Sequence, residues 1–183
     1  MDINLILIIA IVLIVLFVWF TYNSLATGRI RVKEALSGID VQLKRRVDLV
    51  PNLIETVKGY AKHEKELLEN VTKARSSLMH ASTTHEKAVS DNILSSALKS
   101  LIGISEAYPD LKASKNFLQL QEELSDIEAK IAYARQFYNS NVQDYNSKLA
   151  VFPGSLIGNM FGYKSEEFFA AKESEKEVVK VKF

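Results

Sequence analysis

Apolar residues are not spread evenly along this chain. From Ile3 to Phe20 the run INLILIIAIVLIVLFVWF has Asn4 as its only strongly polar member. Eighteen helical residues span roughly 27 Å, close to the thickness of a hydrocarbon core. Fifteen of the eighteen are Ile, Leu, Val or Phe. At about −0.3 to −0.6 kcal/mol each, they favour insertion even after a charge for Asn4. Trp19 and Tyr22 stand where an aromatic belt belongs. A cleaved secretory signal is the main rival, because Ser24-Leu25-Ala26 has the small-x-small spacing a signal peptidase accepts. No Lys or Arg precedes the run, however, and it is longer than an ordinary signal core. A buried core helix is the second rival, but such a helix keeps a polar face and this run has none. The pattern therefore predicts a retained transmembrane helix over residues 1–22. Arg29, Arg31 and Lys33 follow it, whereas the α-amino group and Asp2 precede it. Positive residues stay on the cytoplasmic side, which sets the N-terminus outside and the following domain in the cytoplasm.

Beyond Tyr22 the pattern changes to a three-and-four rhythm. Thr27 or Ser24 is a candidate cap, after which Val32, Leu36, Ile39, Leu43, Val47 and Val50 mark one helix face. The rhythm resumes after Pro51 with Ile54, Val57, Ala61, Leu68, Val71 and Leu78. Two readings stay open at RVDLVPNL: Asp48 caps a new helix with Pro51 in its first turn, or Pro51 kinks one long helix. MHASTTHEKA, residues 79–88, reads as a loop in which Thr83 or Thr84 caps the next helix. Val89, Ile93, Ala97, Leu101 and Ile104 then define a face, ending near Pro109, which biases Tyr108 away from helix. Ser114 caps the last long segment.

That segment carries the clearest pattern. Leu124, Ile131, Tyr138, Tyr145 and Phe152 recur every seven residues, with Leu120, Ile127 and Ala134, then Val142 and Leu149, between them. A helix from Asn116 to Phe152 is about 55 Å long. Within it YNSNVQDYN (138–146) repeats Tyr-Asn at a spacing of seven. At about 100° per residue, Tyr138, Val142, Tyr145, Leu149 and Phe152 share one buried stripe. Gln121, Glu128, Arg135, Asn139 and Asn146 line its shoulder. Such a polar row penalises a slip in helix register, because each buried group that loses its partner costs about 1–3 kcal/mol. The competing functional reading is a ligand groove lined by Tyr138, Asn139, Tyr145 and Asn146. FPGSLIG ends the helix, and a tail over 154–183 begins aromatic (Phe161, Tyr163, Phe168, Phe169) and turns mostly charged from Lys172. It is expected to be partly disordered, with Phe168-Phe169 as an alternative docking element.

Composition narrows the chemistry. Seven glycines and three prolines in 183 residues leave few forced turns, which favours long helices over strands. A formal net charge of +1 gives no electrostatic reason to expect nucleic acid. Without cysteine there is no thiolate nucleophile, disulfide or cysteine-bound zinc. His63, His80 and His85 fit neither HExxH nor the Glu-x-x-His pairs of a di-iron bundle. No phosphate-binding glycine loop occurs. Lys44-Arg45-Arg46 point in three directions on a helix, which suits a solvated surface better than an anionic-lipid or acidic-partner contact. Adjacent carboxylates such as Glu122-Glu123 diverge and make poor acid–base pairs. No catalytic, cofactor-binding or metal-ligating residue is assigned.

Three blocks also resemble the LemA family: DVQLKRRVDLVPNLIETVKGYAKHEKELLENVTKAR (40–75), AYPDLKASKNFLQLQEEL (107–124) and IAYARQFYNSNVQDYNSKLAVFP (131–153). The likeness runs from about Thr21 to Phe183 and departs at Val178-Val179, where the family pattern leads one to expect a proline. The resemblance implies a bacterial inner-membrane protein with one N-terminal membrane helix and a cytoplasmic antiparallel helical bundle. It implies no established enzymatic activity, and an association with membrane proteolysis and envelope stress. The combined expectation is an all-α, up-and-down bundle of three to four long helices, organised as a membrane helix (1–22), a cytoplasmic bundle (23–153) and a tail (154–183). The expected role is a non-enzymatic scaffold that contacts the bilayer, self-associates as a coiled-coil-like homo-oligomer and can meet a membrane-protein partner. A sensor or adaptor with a ligand or client groove is the alternative.

Overall fold

The computed structural model describes residues 3–169. All regular structure among them is helical: α1 Ile3–Tyr60, α2 Lys65–His80, α3 Thr84–Gly103, a 3₁₀ turn Ile104–Glu106, α4 Pro109–Lys112, α5 Lys115–Ala150 and α6 Gly154–Phe161. The all-α, up-and-down architecture expected from the sequence is present. Two compact units divide the described chain, residues 3–37 with 136–168, and residues 38–135 with Phe169.

The unit built on 38–135 is the bundle. Lys87 reaches Asp40 at 2.6 Å, and Arg46 meets Asp91 and Ser95 further along both helices, so α3 runs parallel to α1. Arg75 meets Val47 from α2, and Tyr108 donates to Glu64 at 3.0 Å beyond the end of α3. Glu128 pairs with Arg46, and Arg135 lies 3.8 Å from Asp91, so α5 returns antiparallel to α3. Apolar burial follows the expected stripes on α1, α2 and α5: Ile39, Leu43, Val47, Val57, Val71, Leu78, Leu124 and Ile131 are in the core.

Several boundaries differ from the sequence reading. Neither Ser24 nor Thr27 opens a new helix, because α1 continues unbroken from the apolar run to Tyr60. Of the two readings open at Pro51, the structure has the single long helix, with Pro51 inside α1. A proline has no N–H to give to the carbonyl four residues back, here Val47. That carbonyl instead accepts the Arg75 Nε–H at 2.9 Å, so α2 supplies the bond that Pro51 removes. The chain actually reverses at 61–64, where five polar residues in a row (Lys62 to Glu66) leave no apolar side chain to continue the seam. The proposed loop at 79–88 shrinks to 81–83. Thr83 accepts from the Glu86 N–H, and the Glu86 carboxylate accepts from the Thr83 N–H, a reciprocal capping box that starts α3 early enough to bury Ala88. The face of α3 is rotated: Ala88, Asp91, Leu94, Leu98 and Leu101 are buried, while Val89 and Ile93 are exposed. Asp91 lies on the buried face, where it meets Arg46.

In the unit built on 3–37 and 136–168, α5 packs against α1. Tyr138, Val142 and Tyr145 are buried, as expected, and Leu25 is buried on α1. Phe152 is not: it lies past the end of α5 and is 73% exposed, its ring 6.2 Å from that of Phe17. The expected tail contains a further helix, α6. It sits close to the end of α5 because Gly154 and Gly158 carry no side chain. A Cβ on Gly154 would meet the Lys148 carbonyl oxygen at 1.9 Å, and one on Gly158 would meet Leu149 Cδ1 at 2.3 Å. This is the small-xxx-small spacing that lets helices touch backbone to backbone. The disorder expected from Lys172 onward, and the departure at Val178-Val179, lie outside the described residues.

Along α1, residues 3–20 contain a segment long and apolar enough to cross a membrane, and none of that segment is buried by the rest of the chain.

Candidate functional site

Two constellations of polar side chains stand out, one in each unit. In the bundle, Arg46 and Asp91 are each 1% exposed and form a direct ion pair. Arg46 also donates to Ser95 at 2.8 Å and pairs with Glu128 at 2.5 Å, while Arg135 approaches Asp91 from α5. The four charged groups balance, two of each sign, and join α1, α3 and α5. Burial pushes the Asp91 carboxyl above its ordinary pKa; Arg46 and Arg135 pull the other way, and Glu128 adds to the rise. A buried charge is tolerated only when it is paired, so Arg46 and Asp91 restrict where each other can sit, and the more exposed Glu128 and Arg135 border them. Arg46 Nε and Gln42 Oε1, one turn apart on α1, have no hydrogen-bond partner among the described residues. Phe169 is also buried in this unit, with the Arg135 guanidinium carbon 5.1 Å from its ring centre. Such a stack contributes about 0.5–2 kcal/mol.

The sequence reading took Lys44-Arg45-Arg46 as a solvated patch. Its prediction of three directions holds, and one of them is inward: Lys44 is exposed and pairs with Asp48, whereas Arg46 is buried. The polar shoulder of α5 is used unevenly. Glu128 and Arg135 join the ion network, while Gln121 is exposed.

In the other unit the repeated Tyr-Asn acts on the chain's own backbone. After α6 a non-helical segment runs back along α5. The Tyr145 hydroxyl donates to the Lys164 carbonyl at 2.9 Å, and the Tyr138 hydroxyl to the Glu167 carbonyl at 2.8 Å. Asn146 grips Glu166 twice, donating to its carbonyl and accepting its N–H, both at 2.9 Å. Arg29 adds an ion pair to the Glu166 side chain at 3.3 Å. Burial raises the Tyr145 pKa, so its hydroxyl stays protonated and remains a donor. A two-bond amide grip on the backbone of one residue fixes the segment's register along α5, and the seven-residue repeat places both tyrosines on the same side. Lys164, Glu166 and Glu167 are the partners that the sequence pattern does not reveal. Apart from the Glu166 carboxylate that meets Arg29, they contribute backbone atoms, which leave no side-chain signature.

Among the described residues, no group of three or more His, Asp or Glu side chains is placed to hold a metal ion. The bundle has open surface clefts. One of about 260 Å³ lies between Asp40, Lys44, Leu78, Met79 and Lys87, and another of about 550 Å³ between Ser95, Lys99, Gln121, Ser125 and Glu128.

The chain matches the family model described as LemA family over residues 35–183. It is 30% identical over 158 residues to Protein LemA of Metamycoplasma hominis, covering 84% of this chain and 71% of that protein. It is 23% identical over 177 residues to Magnetosome protein MamQ of Magnetospirillum gryphiswaldense, and 22% identical to Magnetosome protein MamQ 2 of Paramagnetospirillum magneticum. Each of these two matches covers 82% of this chain and 65% of the relative, so the chain spans just under two thirds of the magnetosome proteins' length. With the family model matched over most of its length and with these helices, the chain belongs to the LemA family.

Proposed function

We propose that this protein is a membrane-anchored, non-enzymatic helical scaffold that self-associates, with its N-terminus outside and its bundle in the cytoplasm. The anchor reading rests on the exposed apolar run of α1 and on the state of Ser24-Leu25-Ala26. Those residues lie inside α1, and Leu25 is 1% exposed, so a peptidase that needs an extended, accessible segment meets a packed helix there. The orientation rests on Arg29, Arg31 and Lys33 beyond the run.

One observation carries self-association. Val89 and Ile93 stand one turn apart on α3 and remain 43% and 52% exposed, although the bundle buries the opposite face of that helix. An apolar pair at this spacing is the minimal seam for a second helix. The ion network and the Tyr-Asn grip support a scaffold in another way, since both expend their polar groups on holding the chain's own helices and backbone. Mass measurement of the full chain in mild detergent at micromolar concentration tests the reading. A multiple of the chain mass that falls to one chain in Val89→Asp/Ile93→Asp is expected, and a strictly monomeric parent contradicts it.

A further inference from the structure

The unit built on 3–37 and 136–168 exposes apolar surface at one end, and not only on the apolar run itself. Phe152 is 73% exposed, Leu156 61%, Met160 63% and Phe161 51%, with Val151 beside them at 59%. Leu156 and Met160 are one turn apart and share one face of α6, and Phe152 lies exposed in the step leading into it. The opposite face, Gly154, Ile157 and Gly158, is buried against α5 and α1. Ser155 and Asn159 are the only side chains of α6 that can hydrogen-bond. A helix apolar on nearly every side is normally enclosed by protein or by lipid, and here protein encloses one side.

Ring contacts fix the level of this surface along α1. Phe152 lies against Phe17, and Phe161 lies 4.9 Å from Tyr22, centre to centre, with Tyr163 5.8 Å from the same ring. Phe17 is three residues inside the end of the apolar run at Phe20, about 4.5 Å along the axis, and Tyr22 is about 3 Å beyond it. The exposed face therefore spans the level at which the run leaves the hydrocarbon, beside the exposed rings of Trp19 and Phe20.

We propose that α6 and the Val151-Phe152 step before it form a second membrane contact, a collar lying in the headgroup–acyl boundary next to the membrane helix. Lipid is the occupant because the patch is continuous with the lipid-facing run and stands at its boundary, where aromatic and Met or Leu side chains with few charges belong. The collar anchors both ends of the unit in one leaflet: α1 leaves the membrane there, and α5 comes back to it. Gly154 and Gly158 are what allow α6 to lie flat enough against α5 to present this face.

The collar rests on the reading of the run as a membrane span, and the test separates the two. The chain has no cysteine, so single-cysteine variants L156C, M160C, L13C and Q143C of the full chain can carry a nitroxide label in phosphatidylethanolamine–phosphatidylglycerol vesicles. Power saturation compares exposure to oxygen, which concentrates in lipid, with exposure to a water-soluble nickel chelate. The expected result is an oxygen-to-nickel ratio at positions 156 and 160 several-fold above that at 143 and approaching that at 13. Water-like values at 156 and 160 with a lipid-like value at 13 would overturn the collar and leave the span standing. A water-like value at 13 would overturn both. A label at 156 or 160 that is shielded from both reagents and broadened by the same label on another copy would mean a second copy covers the face, which also overturns the collar.

Discussion

Arg46 shows how one side chain escapes pattern reading. In KRR it looks like part of a basic surface, because sequence neighbours share composition and not direction. Helical geometry sends the three residues apart, and burial selects the one facing Asp91 and Glu128. Asp91 was equally hidden: an acidic residue scores against a core face, so the α3 stripe was drawn through Val89 and Ile93, about one residue out of phase. The polar shoulder of α5 was legible because Glu128 and Arg135 keep the seven-residue spacing of the apolar seam. The expected energetic signature is asymmetric. Asp91→Ala leaves the buried Arg46 short of its main partner and should cost about 3 kcal/mol. The double change Arg46→Met/Asp91→Leu removes the charges together and should cost clearly less. Urea unfolding of the detergent-solubilised chain measures both. Equal losses would mean that the pair contributes shape alone.

Helix ends obey local rules that the sequence states openly, provided tertiary contacts do not overrule them. The capping box of α3 was visible in the Thr83-x-x-Glu86 spacing. Bonds from the Ser82 and Thr83 backbone hold the Glu86 carboxyl at a pKa lowered from 4.5 to about 2. A carboxylate whose folded pKa is depressed stabilises the fold above its unfolded value and loses that contribution as pH falls through the folded one. The first turn of α3 is therefore expected to loosen as pH drops from about 4.5 to about 2, seen as faster amide exchange at Ser82 and Thr83 relative to Leu98. Glu86→Gln should flatten that dependence. Pro51 illustrates the opposite case. Its chemistry allowed either a break or a kink, and the deciding group lies on α2, where Arg75 bonds the Val47 carbonyl. Arg75→Met should destabilise by about 1–3 kcal/mol, the cost of a buried carbonyl left unpaired. Combining it with Pro51→Ala, which restores an N–H to that carbonyl, should recover most of the loss in a thermal melt. Additive effects would show that the two do not share the carbonyl. The turn at 61–64 contains no glycine or proline to mark it, although the run Lys62 to Glu66 lacks an apolar position for the seam.

The chain joins an apolar run and a charged bundle through one helix, α1, with no cap or break between them. The apolar run and the long α5 were readable at once, because each repeats a single physical requirement over many residues. Helix α6 was not, since FPGSLIG carries breakers at its start and its apolar residues looked like tail. Its glycines are explained by the close approach to α5, which a linear reading does not reveal. A membrane-anchored bundle requires that residues 1–26 stay attached and that the apolar run stays in lipid. Intact-mass measurement of the chain recovered from alkali-washed membranes of cells producing it settles this. The predicted result is the mass of the full chain in the membrane pellet, with peptides from the apolar run present. A chain beginning near Thr27 and released into the soluble fraction would contradict it.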